Sequence, residues 1–293
     1  MHQPTLVFSH YVLPNDVDQF RHMSFANYVK LMFDAADYFF VKMLGPNFQE
    51  KLKTKLEYAS VQFKKQTQTG DLIYIIPQCK VSGHKVIIET HYRIGESGNQ
   101  DDVAQGEMIY EIQDFEGVPK SFTRALGVNA LGANFEGLGV TEKVLEKKFY
   151  QKQNAKNIFY YDKIKVYFKH TDFYGGLHEY NFFEWTSHVR EAFLSDKCTD
   201  LESVLKSSVA MMTSKIELEV FGECQFSDQI VAHLTAAKVK KVSCDLIVNF
   251  FNQRLNEYVA TTRHTLVFLD QKELKFSPIP ESLRPAMIAY SEI

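Results

Sequence analysis

The sequence predicts an α+β protein built from two tandem copies of one domain, each with a long helix and an antiparallel β-sheet. An acidic segment occurs twice, with an Asp nine residues before an Asn-aromatic pair: Asp18 precedes Asn27, and Asp172 precedes Asn181. Matching residues lie 154 positions apart (172 − 18 and 181 − 27), which is a normal domain length. Strand patterns without intervening helices follow each copy, which favours antiparallel pairing.

A long helix is predicted directly after the repeated segment in each half. Apolar residues recur at helical spacing after Tyr28 and after Phe182. Gly45 followed by Pro46 predicts the end of the first helix, because glycine often closes a helix and proline cannot continue one. The second helical pattern fades near Ser195.

Three or four strands are predicted after each helix. Turn signals at residues 70–71 and 227–228 precede β-branched runs, and matching runs follow at 86–92 and 244–250, then at 103–112 and 259–268. Because these runs have the same order in both halves, we expect a meander with the helix packed on one face.

The predicted domains occupy residues 1–125 and 158–276. Glycine-rich sequence without clear periodicity predicts a linker at 126–157, and its charged stretch 142–156 is a candidate short helix. Prolines at 278, 280 and 285 indicate that the last strand ends before a tail at 277–293.

Composition indicates a folded globular protein and argues against several function classes. The 293 residues, 45% hydrophobic and 24% charged, can form two cores, and a formal charge of −3 offers no basic surface for nucleic acid. No signal peptide or membrane span is recognisable, so we expect a cytoplasmic protein. The four cysteines and ten histidines show neither C-x-x-C nor H-E-x-x-H spacing, and we therefore expect no metal or redox cofactor.

The repeated segment resembles the active-site segment of hotdog-fold thioesterases, most closely the hydroxybenzoyl-CoA thioesterase group. The shared pattern is a strand ending in Asp-x-Asp, a Gly/His turn, and an Asn-aromatic pair that opens a long helix, here at residues 16–28 and 170–182. In that family the sheet wraps the helix, and two domains pair so that active sites form at their interface. Two copies in one chain imply a double hotdog.

The resemblance also implies thioester hydrolysis and assigns roles to residues. The family's catalytic carboxylate falls on Asp18 and Asp172, and the backbone N–H that polarises the thioester carbonyl falls on Phe25 and Glu179. A helix N-terminus suits an oxyanion because its N–H groups and dipole are positive there. A nearby carboxylate can attack the carbonyl or activate water.

Neither copy matches the family pattern completely, so the sequence leaves open whether one site works or two. Arg21 occupies a position where glycine is usual, Gly176 replaces the frequent histidine, and His170 replaces the first acid. Gly175 and Gly176 would let backbone and substrate approach closely, which favours Asp172 as the working carboxylate.

Further candidates for substrate binding are His22, Gly175, Gly176, Asn27 and Asn181. His22 stands at the family's histidine position, and the asparagines either contact substrate or hold the preceding turn through side-chain hydrogen bonds. The lysine cluster at 238–241 is by default a solvated strand face, and it is also a candidate site for the phosphates of coenzyme A or for an acidic carrier protein.

These patterns favour a thioesterase acting on an acyl group of coenzyme A or acyl carrier protein, with a homodimer as a candidate assembly. The imperfect motifs leave a second interpretation open, a non-catalytic acyl-CoA-binding or scaffold protein of the same fold. Acyl-acyl carrier protein thioesterases are also double hotdogs, but their second half usually carries an Asp-x-Asn-x-His motif that is missing here. The sequence therefore favours coenzyme A.

Overall fold

The computed structural model divides the chain into two compact units, Met1–Lys147 and Lys148–Ile293. It describes residues 7–17, 22–46, 48, 53–82, 84–95, 101–113, 157–171, 176–200, 207–273 and 275–291. Almost all of the predicted linker at 126–157, with the candidate helix at 142–156, lies outside these ranges. The predicted domain boundaries therefore stay predictions.

The first unit forms an antiparallel sheet with one long helix packed against it. Its elements are β1 (Phe8–Tyr11), α1 (Phe25–Leu44), β2 (Thr54–Phe63), β3 (Leu72–Ser82), β4 (Lys85–Ile94) and β5 (Asp101–Ile112). The strand order is β1-β3-β4-β5-β2. The expected meander is confirmed for β3 to β5, the three runs that the sequence predicts; β2 was not among those runs, and it pairs with β5. The connection 64–71 is longer than a tight hairpin turn, so it can carry the chain to the other edge.

The second unit repeats this topology. Its elements are β6 (Phe159–Lys165), α2 (Asn181–Lys197), β7 (Val209–Val220), β8 (Gln229–Ala237), β9 (Ser243–Asn252), β10 (Glu257–Asp270), β11 (Lys275–Phe276) and α3 (Arg284–Ala289). The strand order is β6-β8-β9-β10-β7, and β11 pairs with β10. Each unit is therefore a helix packed on an antiparallel sheet, and this is the hotdog arrangement that the repeated segment predicts.

Both long helices end close to where the sequence predicts. The N–H of Gly45 donates to the carbonyl oxygen of Val41 at 2.8 Å, with a positive φ of 91° that glycine accommodates without strain. α2 ends at Lys197, beyond the fading of its pattern near Ser195. Within the described ranges, neither these helices nor α3 is both long and apolar enough to cross a bilayer.

Apolar side chains fill the contact between α1 and its sheet. Tyr28, Met32 and Phe40 are almost fully buried, and the hydroxyl of Tyr92 donates to the carbonyl oxygen of Tyr28 at 2.7 Å. Gly106 makes room for Met32, because a Cβ at that position would lie 2.5 Å from the Met32 sulfur. The helix therefore approaches β5 closely at this point.

The matching contact in the second unit is made by hydroxyl groups. Thr186 takes the place of Met32, and Thr262 takes the place of Gly106; both threonines are fully buried. Their hydroxyl oxygens lie 2.6 Å apart, and Thr186 also donates to the carbonyl oxygen of Phe182 at 2.7 Å. These bonds satisfy two polar groups that would otherwise be costly to bury.

The predicted tail folds back onto the second unit. Leu283 and Met287 are buried, and the backbone N–H of Ala236 on β8 donates to the carbonyl oxygen of Tyr290 at 2.9 Å. The ring of Tyr290 contacts that of Phe193 on α2 at 5.2 Å. Residues 277–291 are thus part of the second core.

Candidate active site

In the first unit, backbone pairing ties together the two ends of segment 18–21. Val17 forms a β-bridge with Met23, and the N–H of Ser24 donates to the carbonyl oxygen of Asp16 at 2.9 Å. The N–H of Met23 also donates to the carbonyl oxygen of Thr67 at 3.0 Å. These bonds hold the residues on both sides of the segment at the start of α1.

The second unit has the same pairing at the matching positions around segment 172–175. Thr171 forms a β-bridge with Leu177, and the N–H of His178 donates to the carbonyl oxygen of His170 at 2.9 Å. The N–H of Leu177 donates to the carbonyl oxygen of Cys224 at 3.1 Å. The repeated sequence therefore encodes a repeated backbone arrangement in addition to a repeated helix.

The predicted catalytic residues belong to these two segments. Asp18 and Arg21 lie in segment 18–21, and Asp172 and Gly175 lie in segment 172–175; all four are outside the described residues. Their roles stay predictions. The described residues on either side place both chain ends of each segment beside the start of a central helix.

Replacement of the first acid by His170 leaves a local hydrogen bond intact. In the first unit, the Asp16 carboxylate accepts the N–H of Leu13 at 2.8 Å. In the second, Nδ1 of His170 accepts the N–H of Tyr167 at 3.1 Å. Burial, assisted by the charge of Lys169, lowers the pKa of His170, which keeps Nδ1 available as an acceptor. The substitution conserves the turn.

The two asparagines hold the turn before each helix. Nδ2 of Asn27 donates to the carbonyl oxygen of Asp16 at 2.9 Å. Nδ2 of Asn181 donates to the carbonyl oxygens of His170 at 3.2 Å and His178 at 2.7 Å, and the residue is 1% exposed. Each side chain thus supplies a donor to the preceding backbone. Their predicted contact with substrate stays a prediction.

Phe25 and Glu179, the predicted oxyanion donors, occupy equivalent places at the two helix starts. Phe25 is the first residue of α1. Glu179 precedes the first residue of α2 by two positions, but its carbonyl oxygen already accepts the N–H of Phe182 at 3.1 Å, so helical winding begins there. The N–H groups of a first turn point along the helix axis toward its positive end. Donation to an oxyanion stays a prediction.

His22 and Gly176 flank the two segments in the same way. His22 forms a β-bridge with Gln68, and Gly176 forms one with Gln225. Both residues are half-buried. His22 and Gly176 therefore occupy matching points directly after segments 18–21 and 172–175, and their binding of substrate stays a prediction.

Aromatic rings form an apolar layer beneath the start of α2. The ring of Phe250 on β9 lies 5.0 Å from that of Phe182 and 6.2 Å from that of Trp185. The His170 ring meets Trp185 edge-on at 5.5 Å. Rings in this arrangement pack favourably, so they stabilise the position of the helix start against the sheet.

A buried carboxylate belongs to the turn that pairs with Gly176, and its partners could not be predicted from the sequence. The side chain of Asp228 is 2% exposed and accepts hydrogen bonds from Nε and Nη2 of Arg254, from Nδ2 of Asn252 and from the N–H of Gln225. Burial acts to raise its pKa, but these hydrogen bonds outweigh burial and lower the pKa of Asp228. The turn sequence Ser227-Asp228 was recognisable, whereas no local pattern pointed to Arg254.

The lysine cluster at 238–241 lies at the other end of β8 from this site. β8 begins at Gln229, directly after Asp228, and ends at Ala237. A strand of this length spans roughly 27 Å. The binding of coenzyme A phosphates by these lysines stays a prediction.

Among the described residues, there is neither a reactive thiol nor a cluster of metal ligands that could form another catalytic site. Burial raises the pKa of Cys79, Cys224 and Cys244 to about 12, and that of Cys198 to about 11. Such thiols are protonated near neutral pH and are weak nucleophiles. Across the same residues, no three His, Cys, Asp or Glu side chains converge as metal ligands.

Residues 166–287 match the model of the thioesterase-like superfamily. This match spans most of the second unit, which has the hotdog fold. The match begins before segment 172–175 and ends within α3, so it includes the segment and the whole of α2. The first unit repeats the topology of the second, and the chain is a double hotdog.

Solved structures align with nearly all of this double hotdog. The 12:0-ACP thioesterase from Umbellularia californica aligns over 91% of this chain and 98% of its own, with a TM-score of 0.64 and 13% identity. An acyl-ACP thioesterase from Bacteroides thetaiotaomicron aligns over 89% and 97%, with a TM-score of 0.61 and 8% identity. A protein from Lactobacillus plantarum, described provisionally as an oleoyl thioesterase, aligns over 95% and 98%, with a TM-score of 0.67 and 8% identity. At these identities the likeness establishes the fold. A search of curated proteins returned no significant match.

Proposed function

We propose that this protein hydrolyses an acyl thioester of coenzyme A or acyl carrier protein, using the carboxylate of Asp172, of Asp18, or of both. The observation that carries the proposal is the repeated backbone arrangement, which holds the residues flanking segments 18–21 and 172–175 at the start of a central helix. The match of the second unit to the thioesterase-like superfamily supports the same reaction class.

The chemistry follows from a carboxylate placed near a helix start. The thioester carbonyl oxygen accepts the backbone N–H of Glu179 or Phe25, and the positive end of the helix dipole stabilises the oxyanion that develops. The carboxylate either attacks the carbonyl carbon or removes a proton from an attacking water. Collapse of the tetrahedral intermediate expels the thiolate, which takes up a proton to give the free thiol. When water attacks, the carboxylic acid is released in the same step; when the carboxylate attacks, a mixed anhydride forms on the enzyme, and a water molecule then hydrolyses it to the carboxylic acid and the free aspartate.

Asp172 is the stronger candidate of the two carboxylates. Its segment includes Gly175 and is followed by Gly176, which leaves room for a substrate close to the backbone. The neighbouring turn is held by the buried Asp228. In the first unit, Arg21 adds a long side chain at the position where the family usually has glycine.

Thiol release from a panel of acyl thioesters tests the proposal. The panel contains short, long, branched and aromatic acyl groups, each offered on coenzyme A and on acyl carrier protein. We expect Asp172→Asn to lower kcat by about 10²-fold or more, because a positioned acid-base group contributes this much, and Asp18→Asn to lower it less. Asp162→Asn, at an exposed position of β6 in the same unit, is the control.

Three other results of these assays would each lead to a different conclusion about function. Full activity in the Asp18→Asn and Asp172→Asn double variant would show that both assignments are wrong. Tight binding of acyl-CoA without turnover would favour the non-catalytic acyl-binding protein, and neither binding nor turnover across the panel would overturn both functions.

A further inference from the structure

The turn at residues 225–228 is attached to one end of segment 172–175. Gly176 forms a β-bridge with Gln225, and the N–H of Leu177 donates to the carbonyl oxygen of Cys224 at 3.1 Å. A movement of this turn would therefore move Gly176, which directly follows the segment.

The same turn also contacts the chain before the segment. The rings of Phe168 and Phe226 stack with centroids 4.0 Å apart and an angle of 19° between their planes. Phe168 opens the short 3₁₀ turn that ends at His170, two residues before Asp172. Pro14 and Thr69 occupy the matching positions of the first unit, where no ring stack can form.

The turn is conformationally demanding in the second unit. Ser227 has a φ of 75°, a region that L-residues other than Asn, Asp and Gly seldom adopt, and the matching residue in the first unit is Gly70 with a φ of 95°. A serine in this conformation persists only where surrounding bonds fix it. The side chain of Asp228, the next residue, supplies such bonds.

Asp228 links the turn to the hairpin between β9 and β10. Its carboxylate accepts the N–H of Gln225 at 3.0 Å, which closes the turn, and Nδ2 of Asn252 at 2.7 Å. Arg254 binds both carboxylate oxygens, through Nε and through Nη2 at 3.0 Å. Paired charge-assisted bonds of this kind fix orientation as well as distance. In the first unit, Asp71 accepts the N–H of Gln68, and no cation among the described residues contacts it.

We infer that Arg254 is a positioning residue for Gly176 and Leu177, which directly follow segment 172–175, and that it acts through Asp228 and the turn at 225–228. The inference rests on the proposed function for its catalytic consequence, because the segment contains Asp172. Arg254 itself contacts Asp228 and need not touch substrate. Its loss frees the turn to relax and shifts Gly176 and Leu177 relative to the start of α2.

Kinetics of Arg254→Met test this role. We expect kcat to fall about tenfold to a hundredfold with KM unchanged, since a displacement of about 1 Å can cost a hundredfold in rate. Arg254→Lys should restore part of the rate, because lysine keeps the charge but not the paired geometry. Arg93→Met is the matched control: Arg93 is similarly exposed and pairs with Asp102 in the first unit, with Nε 2.8 Å from a carboxylate oxygen.

Amide hydrogen exchange provides a readout that does not depend on activity. In Arg254→Met, the N–H of Leu177 should exchange at least about tenfold faster, because loss of the hydrogen bonds from Arg254 to Asp228 lowers the free energy of local opening. The N–H of Met23, which makes the matching bond to Thr67, serves as the internal control and should be unchanged.

Unchanged exchange at Leu177 would overturn the inference, as would a raised KM with normal kcat, which would make Arg254 a substrate-binding residue. A wild-type protein without thioesterase activity would overturn the proposed function, and the exchange measurement would still decide whether Arg254 holds the segment.

Discussion

At the scale of single residues, the second core contains a histidine that resists protonation. His264 is fully buried, with Nε2 2.7 Å from the hydroxyl oxygen of Thr213. Burial, assisted by the charge of Arg190, holds the pKa of His264 well below its ordinary value. Met108 stands at the matching position of the first unit. The folded protein therefore keeps this imidazole neutral at pH values where an unfolded chain would protonate it.

We expect this difference to make stability depend on pH. Below about pH 6.5 the unfolded chain takes up a proton at His264 and the folded protein does not, so the free energy of unfolding falls by up to about 1.4 kcal/mol per pH unit. Above that pH the contribution is constant. His264→Met removes the uptake, and urea unfolding between about pH 7.5 and pH 5 should show a shallower loss of stability than in wild type. If the free energy of unfolding changes with pH equally in wild type and in His264→Met, His264 is not the group that takes up the proton.

At the scale of elements, the two halves use different chemistry for the same helix-to-sheet contact. Met32 packs over Gly106 in the first unit, whereas Thr186 bonds to Thr262 in the second. A pattern of buried positions predicts that a helix faces a sheet, and it predicted both helices here. It does not distinguish a contact made by a large residue over a glycine from one made by two hydroxyls, because both satisfy the same spacing.

Gly106→Ala tests the close approach in the first unit. The new Cβ would lie 2.5 Å from Sδ and 3.3 Å from Cγ of Met32, so the side chain or the helix must shift. Overpacking of this kind costs about 1–3 kcal/mol, which denaturant unfolding would measure. Met32→Val should relieve the clash, so the double variant is expected to be more stable than the sum of the two single losses. Strict additivity would show that the two residues do not touch in solution.

At the scale of the whole molecule, the duplication made most of the fold predictable. Contacts between residues that are distant in the sequence could not be predicted from it. The helices, the succession of strands β3 to β5 and β8 to β10 along the chain, and the recurrence of the segment follow from local periodicity repeated at a nearly fixed distance. Pairing of β2 with β5 depends on where a connection crosses the sheet, and no local pattern records that. The bond of Asp228 to Arg254 joins residues 26 positions apart in two different turns. Asn27 and Asn181 were predicted from the sequence as site residues, and the structure shows that their amide groups donate to backbone oxygens.

The last described residues, 277–291, allow a test of whether α3 contributes to the core of the second unit. On α3, Met287 is fully buried with its sulfur 3.4 Å from that of Cys244, whereas Ile288 is 51% exposed. Met287→Ala removes buried volume from a packed site and should lower the free energy of unfolding by about 2–5 kcal/mol. Ile288→Ala, the neighbouring control on the same short helix, should change it by about 0.5 kcal/mol or less. Because helix propensity favours alanine at both positions, only the loss of packing separates the two variants. Equal losses in urea unfolding would mean that α3 does not dock on β9, and the second core would then have to be closed by other residues.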